Sequence, residues 1–380
     1  MIKYFGSLFF VLSTIAAAGQ AEQPADTSAP RGMFNRIIHY LKHTNEEKQH
    51  KKFDCSVIGG PYYAPETSGG IVVMAAGLYK TDRTDSLLPA SSASVYGSVS
   101  LTGFYGIGIN SNTIFPKEKF RLLAKASFSS MPNKYWGIGY ENGHHKDDYT
   151  KYTLVTKKLS ADFSAKIAGR LFGGASVMLN DGSAQKIDTG AGKPLMQPEH
   201  IFAFGLGPFI SFDSRDFIPN ASKGMYVRAC YRFFPSTFGN DHVFGKLELQ
   251  FDWYKRLWAT GLLATDFYTE SNFGEAPWSL LAEAGGSNRL RGYFEGRYRD
   301  KKYISGQVEL RQKIAGRSGA VVWIGAGNVC PAYKEIQLDQ TLISYGIGYR
   351  WEFKNRVNIR LDFGMGADQS GFYFGINEVF

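Results

Sequence analysis

Arg291 is the residue of this chain whose neighbours suit a defined piece of chemistry. It lies in Gly285-Gly286-Ser287-Asn288-Arg289-Leu290-Arg291-Gly292-Tyr293, between an apolar anchor and a flexible glycine. A guanidinium carried that way into an enclosed polar space meets a carboxylate through a forked pair of hydrogen bonds. The competing reading is a solvated surface arginine. His39 and His43, four residues apart, have the spacing to share a metal, but no further ligand accompanies them, so a solvated helix face explains them and no metal is expected. His144-His145 beside Asp147 and Asp148 reads as ion-loving loop surface. There is no G-x-S-x-G elbow, no H-E-x-x-H and no phosphate loop, and Gly106-Ile107-Gly108 lacks a following glycine at nucleotide-binding spacing. Neither catalysis nor a cofactor is expected.

The run from Glu270 to Lys302 that carries Arg291 separates two alternating segments. Connections beyond about 12–15 residues are usually functional or disordered. This one holds Trp278, Leu280, Leu281, Leu290, Tyr293 and Phe294, so it must pack somewhere. Around it, period-two patterning runs from Phe53 to the last residue. Val243, Gly245, Leu247, Leu249, Phe251 and Trp253 alternate with Lys246, Glu248, Gln250 and Asp252. Val357, Ile359, Leu361 and Phe363 alternate with Arg356, Asn358, Arg360 and Asp362. These runs exceed the 5–6 residues usual for a soluble sandwich and approach the roughly 9–11 that cross a bilayer.

The pattern predicts about sixteen strands, at 53–59, 70–80, 93–102, 104–114, 120–130, 153–167, 170–180, 201–213, 224–234, 243–256, 259–269, 303–314, 318–328, 343–353, 356–366 and 371–380. An even count puts both ends on one side. Connections then alternate between tight ones, such as Ala168-Gly169 and Lys354-Asn355, and long ones, such as Met131 to Tyr152 and the Arg291 loop. The fold expected is an all-β transmembrane antiparallel barrel whose first and last strands close on each other.

Composition agrees. Glycine supplies 43 of 380 residues, above the usual share of about 7%, and aromatics reach 15%. A mean hydropathy of −0.23 excludes a helical membrane bundle but not a barrel, in which only half of each strand is apolar. Residues 1–21, with Lys3, an apolar stretch from Tyr4 to Ala18 and small residues after it, read as a secretory signal peptide. Residues 22–52 read as a linker and a short amphipathic helix with Phe34, Ile37, Ile38 and Leu41 on one face, and 53–380 as the barrel. The three widely spaced cysteines, Cys55, Cys230 and Cys330, give no disulfide framework. The net charge of +9 is spread along the chain, which suits a basic barrel wall near anionic lipid better than nucleic acid.

Leu290-Arg291-Gly292-Tyr293 resembles the loop tetrad of the BamA/TamA outer-membrane assembly barrels, also called the bacterial surface antigen family. Asp213-Ser214-Arg215-Asp216, followed by Gly224, resembles the same family's periplasmic turn, and Trp323 to Val329 resembles its downstream strand. Phe372, Phe374, Ile376 and Phe380 resemble the terminal signal of outer-membrane barrels. The resemblance spans roughly 53–380. About thirty residues between the cleavage site and Phe53 are too few for the family's periplasmic POTRA modules.

The resemblance implies a bacterial outer-membrane protein with lipid as its surroundings, with barrel-assembly machinery or periplasmic factors as partners and an unnamed client. Its role would be outer-membrane protein assembly, translocation or lipid handling through a weakly paired lateral seam; the alternative is a passive pore or a structural barrel. It also implies that Arg291 pairs inside the barrel with carboxylates on the strands after the loop. Glu309 is the first of them. Because Gly325 stands where the family has an acidic residue, Arg291 is expected to depend mainly on Glu309.

Overall fold

A strand with one apolar and one polar face satisfies its backbone only by pairing on both edges, and in a bilayer that means closing into a barrel. The computed structural model of the chain describes residues 54–64, 66–85, 88–188, 192–196, 198–354 and 356–380. The expected signal peptide and the 22–52 segment, with His39 and His43, lie outside the described residues. The wall comprises β1 (Asp54–Ala64), β2 (Ser68–Tyr79), β3 (Ser91–Ser100), β4 (Tyr105–Ile114), β5 (Phe120–Tyr135), β6 (Thr150–Ala168), β7 (Leu171–Gln185) and β8 (His200–Asp213). It continues with β9 (Gly224–Phe234), β10 (Phe244–Trp258) and β11 (Gly261–Gly274). A small hairpin follows, β12 (Ala282–Ala284) and β13 (Tyr298–Asp300). The wall resumes with β14 (Lys302–Ala315), β15 (Ser318–Cys330), β16 (Leu342–Lys354), β17 (Val357–Met365) and β18 (Ser370–Ile376).

The sixteen wall strands close in sequence order, all antiparallel neighbours, with β12 and β13 forming a separate two-stranded sheet inside the long loop. Ile71, Val73, Ile107, Phe163, Ile324 and Ile347 point outward and are exposed, as lipid-facing side chains must be. No helix among the described residues is long and apolar enough to cross a membrane; the crossings here are strands.

The strand count agrees with the alternation, but several ends move. The expected long connections after Met131 and Asn180 begin later: β5 runs to Tyr135, β6 starts at Thr150 and β7 reaches Gln185. The wall is tallest there, because outer-end residues such as Tyr135, Tyr152 and Ala184 pack with the loop residue Trp278 in one buried cluster. The last strand stops at Ile376, not Phe380. Asn377 takes a left-handed φ of 67°, and the segment leaves the wall. Glu378 then bonds to Arg350 and Asn358, and Phe380 packs beside Tyr254 and Arg311.

Closure is uneven. Among the described residues β18 pairs with β17 through seven residue pairs and β1 with β2 through eleven, yet β1 and β18 meet at one, Tyr63↔Phe372. Below it the two strands overlap. A Cβ on Gly60, which faces the lumen by alternation, would stand 3.2 Å from the Phe374 ring, so β18 there lies on the inner side of β1. A side chain at that position would press on the ring.

Candidate functional site

The loop between β11 and β14 folds back into the barrel, held at its outer part by apolar packing and at its tip by charge. Trp278 stacks edge-on against Tyr135 and Tyr152, with its indole N–H donating to the Pro198 carbonyl at 3.1 Å. Leu290 and Tyr293 are buried with Tyr298, Tyr303, Val329 and Leu342. Those contacts use the anchors that the sequence required to be packed. Glu295 donates its backbone N–H to Glu66 in the β1–β2 turn at 2.6 Å, which carries the loop across the seam's outer end.

Each residue of the tetrad has a separate task. Leu290 adopts a left-handed φ of 47°, a conformation that costs a branched side chain about 1–2 kcal/mol, and its own burial offsets this. Arg291 is fully buried. One Nη donates to Asp362 on β17 at 2.7 Å, the other donates to Glu309 on β14, and the guanidinium lies 3.7 Å above the Trp323 ring of β15. The Arg291 carbonyl accepts from Ser344 Oγ of β16 at 2.6 Å. Gly292, at φ 111°, presses onto the β17 backbone, where a Cβ would sit 2.7 Å from the Met365 carbonyl carbon. Its N–H donates to the Tyr373 hydroxyl of β18 at 2.9 Å. Tyr293 donates its hydroxyl proton to the Ile343 carbonyl at 3.0 Å and accepts from Ala367 N–H. Four residues thus touch five consecutive wall strands, β14 to β18.

The expectation that Gly325 leaves Arg291 without a second carboxylate is overturned. Asp362 supplies it from β17, two strands beyond β15, where Gly325 lies; on β15 itself it is the Trp323 indole that takes the guanidinium face. Polar parity along β17 made Asp362 visible as a lumen residue. Which loop residue it meets depends on the barrel's stagger, which parity does not give.

Around the fork lies a larger network that the sequence reading missed. Glu309 also accepts from Arg311 Nε at 2.9 Å, and Asp362 accepts from Arg350 at 2.5 Å and from Arg360 at 3.3 Å. Arg350 reaches on to Glu378 at 2.8 Å. Separately, Arg289 forks onto Asp266 of β11 with two 2.8 Å bonds while covering the Tyr268 ring at 3.9 Å. Every one of these arginines occupies a lumen-facing or loop position that could have been suspected from alternating charge.

The turn from Asp213 to Gly224 is built the same way. Asp213 takes a fork from Arg215 at 2.9 and 3.0 Å and a third bond from Arg121 of β5 at 2.9 Å. Asp216 accepts from the Ser222 N–H and hydroxyl and from Arg356. Burial pushes the Asp216 carboxyl up, but the Ser222 and Arg356 hydrogen bonds outweigh it and hold it at about 2. Gly224 closes the turn at φ 103°. Phe372, Phe374 and Ile376 keep outward parity in β18 but are half-buried rather than fully exposed, and Phe380 is inside. His144 stacks on Tyr140 at 5.5 Å at the outer end.

This geometry positions a loop inside a barrel and fixes five strands to it. No curated protein matches the chain by sequence. Among solved structures, BamA from Haemophilus ducreyi lacking POTRA domains 1-3 superposes with a TM-score of 0.55 at 12% identity, over 96% of this chain and 81% of that one. CdiB from Acinetobacter baumannii gives 0.55 at 12% identity, over 86% of this chain and 60% of that one. CdiB from Escherichia coli gives 0.55 at 10%, over 87% and 63%. The chain therefore spans about three fifths of the CdiB chains, and identities this low show a shared fold alone. A family model described as the Omp85 superfamily domain matches residues 105–380, which include the latched loop, the turn from Asp213 to Gly224 and the last strand. With most of its length matched by that model, the chain belongs to the Omp85 superfamily.

Proposed function

We propose that this protein resides in the bacterial outer membrane and passes a client, a protein strand or a lipid, sideways between its lumen and the bilayer through the β1–β18 seam. Such a barrel would serve outer-membrane protein assembly, translocation or lipid handling beside periplasmic partners. The observation that carries the reading is that, among the described residues, one pair, Tyr63↔Phe372, joins β1 to β18. Unpaired strand edges are templates for another strand, and unpaired backbone in lipid is costly, so a seam left this short favours an occupant. The loop held across β14 to β18 supports the same reading, since it occupies the lumen that a passive pore would keep open.

The test is planar-bilayer conductance of the Tyr63→Cys/Phe372→Cys protein, whose two positions lie directly opposite across the seam. The reduced protein should show rare gated openings that vanish on oxidation and return on reduction. A steady open pore, or openings indifferent to the crosslink, would contradict a moving seam.

A further inference from the structure

Two cavities flank one partition near the periplasmic mouth. The first, about 250 Å3, is lined mainly by apolar groups, Ile58, Met74, Leu78, Leu123, Phe353 and Ile376 among them, with serines and asparagines of β3 and β4 along one wall, and none of its lining residues is charged. It touches both strands of the seam, β1 through Ile58 and β18 through Ile376. The second, about 170 Å3, is lined by four cations, Arg311, Lys313, Arg317 and Arg350, against two carboxylates, Glu352 and Glu378. The partition consists of three residue pairs, Pro219-Asn220, Val357-Asn358 and Asn377-Glu378. In each, the first residue lines the apolar cavity and the second the cationic one.

The cationic cavity already holds an anion. The Glu378 carboxylate accepts from Arg350 Nε at 2.8 Å and stands 3.7 Å from Arg311 Nε. Even so, Arg311 Nη1 and Arg350 Nη2 are buried without a hydrogen-bond partner, and buried donors of that kind are rare and costly. More acceptor oxygens than Glu378 offers would fit there, and a phosphate has them. Glu378 lies just past Asn377, whose N–H makes the last bond to the neighbouring strand, to the Asn358 carbonyl at 2.8 Å, and its own N–H turns to the Pro219 carbonyl at 3.4 Å, so the residue that carries the competing anion is not paired in the ladder.

We propose that the paired cavities are a site for one phosphate-bearing membrane lipid. Its alkyl chain lies between Met74, Leu78 and Leu123, and its phosphate replaces Glu378 on Arg311 and Arg350. The site names a lipid as an occupant of the seam and rests on the seam reading for its entrance only. Apolar lining takes the chain because it removes alkyl surface from water; charge complementarity takes the head.

The test uses the full chain in nanodiscs with a photoactivatable ten-carbon alkyl phosphate, and the matching alcohol as control, with labelled residues mapped by mass spectrometry. Ile71 and Val73 face lipid and serve as the internal control on the strand that carries Met74 and Leu78. The expected result is label on Met74 and Leu78 as well as on the lipid face, at least several-fold stronger for the phosphate than for the alcohol. Glu378→Gln should raise the phosphate signal severalfold, Lys313→Glu should erase the preference for phosphate, and Ala76→Trp should remove the inner label while sparing the outer. Label confined to Ile71, Val73 and the rest of the lipid face would overturn the site, as would an inner label untouched by Ala76→Trp. The oxidised Tyr63→Cys/Phe372→Cys protein separates the two readings. Inner labelling as fast as in the reduced form would remove the seam as entrance and leave the site standing, whereas slowed labelling supports both.

Discussion

From Ile58 to Ala64 and throughout β2, β3 and β4, the strands carry no charged residue on either face, and their lumen side is glycine, serine, asparagine, tyrosine and aliphatic carbon. Across the seam, the lumen side of β14 to β17 carries Glu309, Arg311, Arg350, Glu352, Arg360 and Asp362. Both walls follow the same alternation and the same ladder hydrogen bonds. What differs is how they are tied to the rest of the molecule. On the charged side a buried arginine is worth holding in one geometry only, because each carboxylate that loses its partner is left in a poor dielectric. The loop and five strands therefore behave as one piece. The uncharged wall has its ladder and van der Waals contact, neither of which penalises a small slide or tilt so sharply. The seam lies where these two kinds of wall meet.

The largest effect should come from removing the tie. Arg291→Ala leaves Glu309 and Asp362 short of a partner in a fully buried site, at a cost of about 3–5 kcal/mol, seen as a lower urea midpoint and as cleavage of residues 275–301 by external protease. Ser94→Ala, on the lumen face of the uncharged wall, should change stability by less than about 0.5 kcal/mol and leave the loop resistant. Equal effects from the two would erase the distinction.

Gly325→Asp sharpens it. Were Asp362 not already in place, an aspartate there would tighten the loop. In the structure a Cβ at Gly325 would stand 3.1 Å from Gln307 Cβ and 3.3 Å from the Gly306 carbonyl, so the substitution should destabilise by about 1–3 kcal/mol through overpacking. A raised unfolding midpoint would mean that Arg291 lacks its second carboxylate after all. Tyr373→Phe removes the acceptor for the Gly292 N–H and should cost about 1 kcal/mol, with faster exchange of that amide as the specific sign.

The turn from Asp213 to Gly224 gives the one effect in this series that depends on pH. Asp216 is held at about 2, below an unfolded value of about 3.9. Its stabilising contribution is fully present above the unfolded value and is lost as pH falls toward the folded one. The difference in stability between the native chain and Asp216→Asn should be constant above pH 5 and shrink toward pH 2. A difference that instead grew on acidification would place Asp216 outside the hydrogen bonds assigned to it.

Much of this was written in the sequence, and the remainder has identifiable causes. Alternation located sixteen strands because inward and outward parity is a local property. The tetrad and Glu309 stood out through resemblance, and the apolar anchors showed that the loop must pack. Asp362 and Arg350 were legible as lumen residues but not as partners of Arg291, because the stagger that sets their height is a property of the closed barrel. The end of β18, at Ile376, departs from the alternation for a related reason. Phe380 fits a lipid-facing pattern, yet Glu378 two residues earlier finds Arg350 inside, and a charge with a buried partner outweighs one more aromatic ring at the interface.

Hydrogen exchange of the protein in nanodiscs, read strand by strand, tests the division most directly, because it reports how easily each part of the wall opens. The account predicts fast exchange in β1 and β18 below Tyr63 and Phe372, and slow exchange through β14, β15, β16 and the Arg291 loop, with the loop's protection lost in Arg291→Ala. Protection that is uniform around the barrel, or a seam as slow as the latched wall, would contradict it.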